Sequence, residues 1–502
     1  PSREPSPLPR QDGLVEPLLR PDDLTRLRDA VEAADFTPDG VDRLLGPRAS
    51  AALGRGDLVP ALRATRGGSP LETLVRLFVC GVTEPEHAVA AALAPLPLSS
   101  ARSAGLVEPA PGGLRAGLDL RPYGDDLGTW WVFSDLGSDV RPGTLHPDHV
   151  LGVGGASVTL AQATVRVPAE TALDLGTGCG VQSLHLSRHV GRVTATDVSA
   201  RALRMAATTA ALNGMDWELL DGDLTDPVAG RRFDLVVSNP PFVVGPGTTT
   251  HTYRDSGRAG DGVGSELVAA APRLLNPGGW LQLLANWLHR EGEPWTDRVA
   301  GWLPDRHDAW VVQREVLDPA EYVAMWLRDA GESDPGRAAA WLDWFDAERV
   351  DAVGFGLITV RASEVDDPVR RLEDLRQVVD QPLGREVLAW FDRQDRLRDT
   401  GLLDARLLAH PALTLRQEAV RDTDGWDVTR QVLVNDAGLR WSQEVDPVVV
   451  ALVAGCDGTR TLREQLTVLA AAYDTPVEQL LVAAPLVVGP LVERGLLTPV
   501  AG

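Results

Sequence analysis

The sequence predicts an α/β core built on a doubly wound, largely parallel sheet, with a smaller region on either side. Between about residues 145 and 362, short apolar runs alternate with segments of helical period, the pattern of strands joined by crossover helices. One run, ETALDLGTG, ends in glycines and passes at once into the helix-period segment VQSLHLSRHV. Another, FDLVVSNPP, is stopped by Asn239-Pro240-Pro241-Phe242, an amide, two prolines and an aromatic ring where one turn residue would serve.

In chain order, residues 1–12 are rich in Pro, Ser and Arg and are expected to be disordered. Residues 13–100 read as a helical domain. Leu24, Leu27 and Val31, then Leu71, Leu74, Val75 and Phe78, recur at helical spacing, and Pro21-Asp22-Asp23 and Ser69-Pro70-Leu71-Glu72 suit helix starts. Residues 101–144 (LRAGLDLRPYG, TWWVFSDLG) read as a connector of short strands. Within 145–362 the remaining strands are expected in GRVTATDVS, WLQLLANW, AWVVQREV and GFGLITVR. Helices are expected in ARALRMAATTAALNG and GSELVAAAPRLLNPGG. Residues 363–415 read as amphipathic helix. Residues 416–502 read as an α+β, winged-helix-like region, with a hairpin about Asp436-Ala437-Gly438 and two or three helices over 446–495.

Composition narrows the function classes. Of 502 residues, 44% are hydrophobic and 24% charged, as in a globular protein of several domains. The formal charge is −23, and none of the 48 basic residues is a lysine. Such a charge repels nucleic acid at long range unless arginines gather on one face. Cys80, Cys179 and Cys456 lie far apart, so neither a disulfide framework nor a metal site is expected, and the compartment expected is the reduced cytoplasm. No apolar run is long enough to span a bilayer and no secretory leader is expected.

The chemistry is concentrated in two loops. Asp174-Leu175-Gly176-Thr177-Gly178-Cys179-Gly180 follows a strand and opens a helix, where glycines allow a tight turn and close approach of a ligand to the backbone. The spacing is G-x-G-x-G rather than the G-x-G-x-x-G of dinucleotide sites, and a phosphate loop would need a lysine. Asp197 ends the next strand, where a carboxylate accepts ribose hydroxyls. Asp223 follows a third short segment, as an adenine contact or equally as a helix N-cap. Cys179 has no partner base and reads as packing.

Asp-x-Gly-x-Gly-x-Gly, the acidic end of the second strand and Asn-Pro-Pro-Phe together resemble the class I S-adenosylmethionine methyltransferases. Within these, the chain is similar to the small-domain amino-methyltransferases, the release-factor glutamine and ribosomal RNA guanine-N2 enzymes. The resemblance covers about 145–362 and implies a Rossmann-like sheet with S-adenosylmethionine as cofactor. It implies cofactor contacts from Asp174, Gly176, Thr177, Gly178, Gly180, Asp197, Asp223 and Asn239, and catalytic roles for Asn239, Pro240 and Phe242.

Asn-Pro-Pro-Phe suits a planar nitrogen, whose delocalised lone pair attacks a sulfonium methyl poorly. The Asn239 Oδ1 and the Pro240 carbonyl would each accept an N–H and turn that lone pair toward the methyl, with the prolines holding the carbonyls rigid. Phe242 would supply a face for the planar group, and Pro241, Tyr253 and Arg254 are weaker candidates for substrate contact.

The acceptor is less tightly defined. Gly260-Asp261-Gly262 is similar to the Gly-x-Asp-Gly-Leu stretch of the glutamine enzymes, with Val263 where those carry Leu. Phe242 stands where they carry Tyr and is more typical of the RNA enzymes. His146-Pro147-Asp148-His149 occupies the place of their Arg-Pro cofactor lid. A protein side-chain amide is the favoured acceptor, supported by the acidic charge and the N-terminal helices. The alternatives are an exocyclic amine of RNA or DNA, a small amine, or an S-adenosylmethionine-sensing protein-binding module without catalysis. An arginine-lined groove leading to Asn239 would favour nucleic acid, and a neutral or acidic rim would favour protein.

Overall fold

The computed structural model describes residues 15–137, 140–141, 146–247, 257–332, 334–423 and 425–500. The chain forms two compact units, one of Pro1–Ala161 with Pro168–Asp374 and one of Gln162–Val167 with Leu375–Gly502. The expected disorder of residues 1–12 lies outside the described residues.

The first unit begins with helices α1 (Pro21–Ala33), α2 (Pro38–Leu53), α3 (Val59–Ala64), α4 (Pro70–Leu74, continued by a π-helical turn at Val75–Val79), α5 (Glu86–Ala92) and α6 (Leu98–Ser103). The start of α4 is a capping box, in which the Ser69 hydroxyl accepts from Glu72 N and the Glu72 carboxylate accepts from Ser69 N. Two antiparallel hairpins follow, β1 (Val107–Ala110) with β2 (Gly113–Ala116), and β3 (Asp119–Asp125) with β4 (Gly128–Ser134).

Helix α7 (Gly155–Ala163) leads into the main sheet. Its elements run β5 (Ala169–Leu175), α8 (Val181–Leu186), β6 (Val190–Asp197), α9 (Ala200–Leu212), β7 (Trp217–Asp221), β8 (Phe233–Ser238), α10 (Gly262–Leu274), β9 (Leu275–Arg290), α11 (Trp295–Ala300), β10 (Asp308–Leu317), α12 (Pro319–Asp329), α13 (Pro335–Ala347), β11 (Val350–Arg361) and β12 (Arg370–Asp374). The strand order is β12-β10-β11-β9-β8-β5-β6-β7. The strands from β7 to β9 pair in parallel, and β11 runs antiparallel to both β9 and β10. The order reverses at β5, and the crevice at such a switch point, beyond the carboxyl ends of the strands, is where open α/β sheets bind ligands. The core against the sheet includes Leu173, Val236, Leu267, Leu281, Val311 and Ile358. Parallel strands covered on both faces explain why FDLVVS reads as a continuous apolar run.

Two expectations change here. The sheet extends past residue 362, because β12 pairs in parallel with β10. Residues 363–415, expected to be helical, contain β12, the helix α14 (Gly384–Thr400), the strand β13 (Arg406–Ala409) and the start of β14 (Leu413–Asp422). The helical period is real in α14, which buries Val387, Trp390, Phe391 and Gln394 along one face. Around it, strand pairing decides the conformation.

The second unit continues with β15 (Gly425–Asn435), β16 (Ser442–Glu444), α15 (Pro447–Ala454), β17 (Asp457–Thr461), α16 (Leu462–Ala472), α17 (Val477–Glu493) and β18 (Leu497–Val500). β14, β15 and β16 form one antiparallel sheet, and β17, β13 and β18 form another. The segment RQVLVNDAGLRW supplies the end of β15 and the turn into β16. Leu407, Leu433, Leu452, Leu466, Val488 and Leu491 belong to its core.

Helices α12 and α13 fill the connection between β10 and β11 and pack a second cluster, Tyr322, Val323, Trp341 and Phe345, against Val243, Val244 and Leu288. Within it the Tyr322 hydroxyl accepts Val244 N at 2.7 Å and Asn286 Nδ2 at 3.1 Å, all buried. Tyr322→Phe strands both donors and is expected to lower unfolding free energy by about 1–3 kcal/mol. Urea denaturation checks this, and a loss within error of zero would refute the assigned role.

Candidate active site

The glycine loop leaves β5 where the strand order reverses. Gly176 N and Thr177 N both donate to the Thr196 carbonyl at 2.9 Å, tying the turn to the end of β6. Asp174 is 1% exposed, and its Oδ2 accepts from Thr177 Oγ1 (2.7 Å), Ser183 Oγ (2.7 Å) and Ser183 N (3.1 Å). Burial pushes the Asp174 carboxyl up to about 6, against the lowering effect of those donors.

Gly178 has φ 56, and a Cβ there would meet nothing within 4 Å, so the loop presents bare backbone to open space. Gly180, at φ 92, differs: a Cβ there would lie 2.6 Å from the Trp217 ring. It is a packing glycine at the start of α8.

A cavity of about 510 Å³ lies beyond the strand ends, within the range of cofactor sites. It is lined by Gly176, Thr177 and Gly178, by Asp197 and Asp223, and by Asn239, Pro240, Pro241 and Phe242. The structure thus brings together two loops far apart in sequence, because β5 and β8 are paired neighbours with Leu175 opposite Ser238. Asp174 and Gly180, expected to contact cofactor, do not line the cavity; they shape the loop from behind. Tyr253 and Arg254 lie outside the described residues.

At the end of β6, Asp197 accepts Gly178 N through Oδ2 and Ser199 N through Oδ1, each at 2.9 Å. Burial holds its carboxyl above the usual range despite these donors, and each oxygen keeps a lone pair for a further hydroxyl. Asp223 is half-exposed and bonded to Arg258 at 2.9 Å, which also pairs with Glu266 at 2.6 Å. Asp223 is not a helix N-cap: the 3₁₀ turn after it spans Asp226–Val228, with Thr225 at the N-cap position and no side-chain cap.

The Asn239 Oδ1 is buried and has no hydrogen-bond partner. Asn239 lines the cavity, and a buried acceptor left without a donor is costly. Phe242 meets Trp326 edge-on at 6.2 Å, and the backbone beyond it is pinned by Trp341 Nε1, which donates to the Val244 carbonyl at 3.0 Å. Asp261 of the Gly-Asp-Gly stretch is buried and accepts two bonds from Arg298, at 2.7 and 2.8 Å, and one from Leu288 N.

Further cavity residues escaped the sequence reading: Asp119, Arg121, Asp135, Gln182, Trp326 and Asp329. His149, within the noted His-Pro-Asp-His stretch, also lines it. His149 is buried, and desolvation lowers its pKa against the opposing charge of Asp135, which favours the neutral imidazole at pH 7. Only that stretch carried a local signal; the others come from elements remote in sequence. Among the described residues no group of His, Cys, Asp and Glu is placed to hold a metal ion. No described helix is long and apolar enough to cross a membrane.

A Rossmann-like sheet, a glycine loop open to a cavity and strand-end carboxylates define a domain of the class I methyltransferase type. Residues 153–293 match the methyltransferase small domain family. Two domain families of unknown function match residues 33–117 and 388–499. The ribosomal RNA small subunit methyltransferase C of Alcanivorax borkumensis is 40% identical over 114 residues, 23% of this chain and 31% of that protein. The release factor glutamine methyltransferase of Geobacter sulfurreducens is 32% identical over 164 residues, 30% of this chain and 56% of that protein. The chain thus spans from just under a third to just over half of the length of these two curated relatives. Among solved structures, a T. thermophilus 16S rRNA N2 G1207 methyltransferase with AdoMet and guanosine is 21% identical, with 37% of this chain and 52% of that chain covered and a TM-score of 0.25.

The raised Asp174 pKa has a definite sign. The folded state holds that proton more tightly than the unfolded chain, so the contribution is fully present below pH about 4 and is lost as pH rises through about 6. The unfolding free energy of Asp174→Asn is therefore expected to gain on the wild type by about 2 kcal/mol between pH 4 and pH 7. Urea denaturation at the two pH values measures it, and a constant difference would contradict the assignment.

Proposed function

We propose that the protein is an S-adenosylmethionine-dependent N-methyltransferase whose acceptor is the planar nitrogen of a protein side-chain amide. The observation that carries the reading is the buried, unpartnered Asn239 Oδ1 on the wall of a cavity that the glycine loop also lines.

The residues fit that cofactor. Gly176 and Gly178 leave room where a Cβ would point, and Asp197 has lone pairs for the ribose hydroxyls. When bound, S-adenosylmethionine supplies a sulfonium methyl as electrophile. Asn239 Oδ1 and the Pro240 carbonyl accept the acceptor's N–H groups and turn its lone pair toward that methyl. Phe242, braced by Trp326, lies against the planar group. The work is orientation, worth several powers of ten in rate when geometry is held. The chain needs no strong base before attack, because the proton becomes acidic once the nitrogen carries four bonds.

The charge of the cavity favours protein over nucleic acid. Asp119, Asp135, Asp148, Asp197, Asp223 and Asp329 line it, with Arg121 the one arginine among the described lining residues. A phosphate backbone meets repulsion there. Phe242, and relatives named for ribosomal RNA as well as for release factors, support an exocyclic amine of RNA as the second reading.

Asn239→Ala is expected to lower transfer at least about a hundredfold while leaving S-adenosylmethionine affinity within a few-fold. Calorimetric binding beside single-turnover transfer checks this, and unchanged turnover would remove Asn239 from the mechanism. Labelled S-adenosylmethionine incubated with fractionated extract is expected to mark material that survives ribonuclease and is lost to protease; the opposite pattern would establish the RNA reading.

A further inference from the structure

The cavity has a wall that belongs to none of the strand-end loops. Strand β3 contributes Asp119 and Arg121, two residues apart and therefore on one face of the strand, and both line the cavity. Asp119 is 5% exposed and its Oδ2 accepts Arg121 Nε at 3.1 Å, which fixes the plane of the guanidinium. The two Nη groups of Arg121 have no acceptor among the described residues. The hairpin is locked to the segment before α7: Asp135 N donates to the Val150 carbonyl at 3.0 Å, and Val150 N donates back to Asp135 Oδ2 at 2.9 Å. Gly152 lies so close that a Cβ would come within 2.7 Å of Ser134 Oγ. This wall adjoins the glycine loop. Burial, and behind it the charges of Asp119 and Asp174, push the thiol of Cys179 up to about 12.

The sheet order says which end of the cofactor meets it. If Asp223 beyond β7 faces the adenine and Asp197 at the end of β6 takes the ribose, the chain of the ligand continues toward the glycine loop and Asn239, beyond β5 and β8. Its amino-acid end then lies over the glycine loop, beside the wall built by β3, whose Asp119 carboxylate acts on Cys179 of that loop. That end carries a carboxylate beside an ammonium. A guanidinium with a free fork matches a carboxylate bidentately, while an acidic surround suits the ammonium and the sulfonium.

The geometry points to Arg121 as the residue that binds the carboxylate of the methionyl end of S-adenosylmethionine, with Asp119 orienting its guanidinium. The hairpin ahead of the methyltransferase small domain is in this way part of the cofactor site. The assignment rests on the methyltransferase reading above, and the experiment separates the two. Calorimetric affinities are measured for S-adenosylmethionine and for its decarboxylated analogue, which keeps the sulfonium and the ammonium but lacks the carboxylate. Arg121→Leu and Arg121→Gln are each expected to weaken S-adenosylmethionine about tenfold or more, and to change the decarboxylated analogue by less than about threefold. Retained binding of the analogue also reports that the variant is folded. Equal losses for both ligands, or no loss for either, would overturn the assignment of Arg121 and leave the methyltransferase reading standing. A wild-type protein that binds neither ligand would overturn both.

Discussion

A buried carboxylate organises this site. Asp174 sits at 1% exposure with three donors on one oxygen, two from side chains and one from the backbone of α8. Burying a carboxyl in that position is expensive, and since Oδ1 is buried without a donor, the three bonds to Oδ2 are what fix the closure of the loop. That closure turns Gly176 and Gly178 outward and brings Gly178 N to the carboxylate of Asp197. The cavity-facing surface of the loop is the far side of a structure built on Asp174.

The second loop is held by different means. Asn239 and Pro240 leave β8 next to the glycine loop because β8 pairs with β5, and Ser238 Oγ donates to the Leu175 carbonyl at 2.9 Å across that pair. Beyond the prolines the backbone has no ladder to join, and the helices between β10 and β11 supply its partners. Tyr322 takes the Val244 amide and Trp341 gives to the Val244 carbonyl. A loop whose donors and acceptors are met by buried side chains is held in one conformation. Asp261 and Arg298 brace the start of α10 in the same manner.

The cavity also has a definite charge character. The net charge of −23 says little about any one surface, yet the cavity follows the same sign, with one arginine among carboxylates. The second unit has two three-stranded sheets and an apolar core around Leu407 and Leu491.

By itself the sequence determined the alternation of strands and helices in the core, the turn at Gly176-Thr177-Gly178 and the Asn-Pro-Pro-Phe stop. Each is a local matter of side-chain period, glycine φ or proline geometry. It misread residues 363–415, where α14 has a true helical face but β12 and β13 owe their conformation to pairing with distant strands. It also set Asp174 and Gly180 against the ligand, whereas burial behind the loop and the nearness of Trp217 turn them to structural use. Only the tertiary structure decided that β11 runs antiparallel, that Trp326 stands beside Phe242, and that Asp119 and Arg121 of an upstream hairpin wall the cavity. Those facts depend on contacts between segments far apart in the chain, and the periodicity of a segment carries no information about what will pack against it.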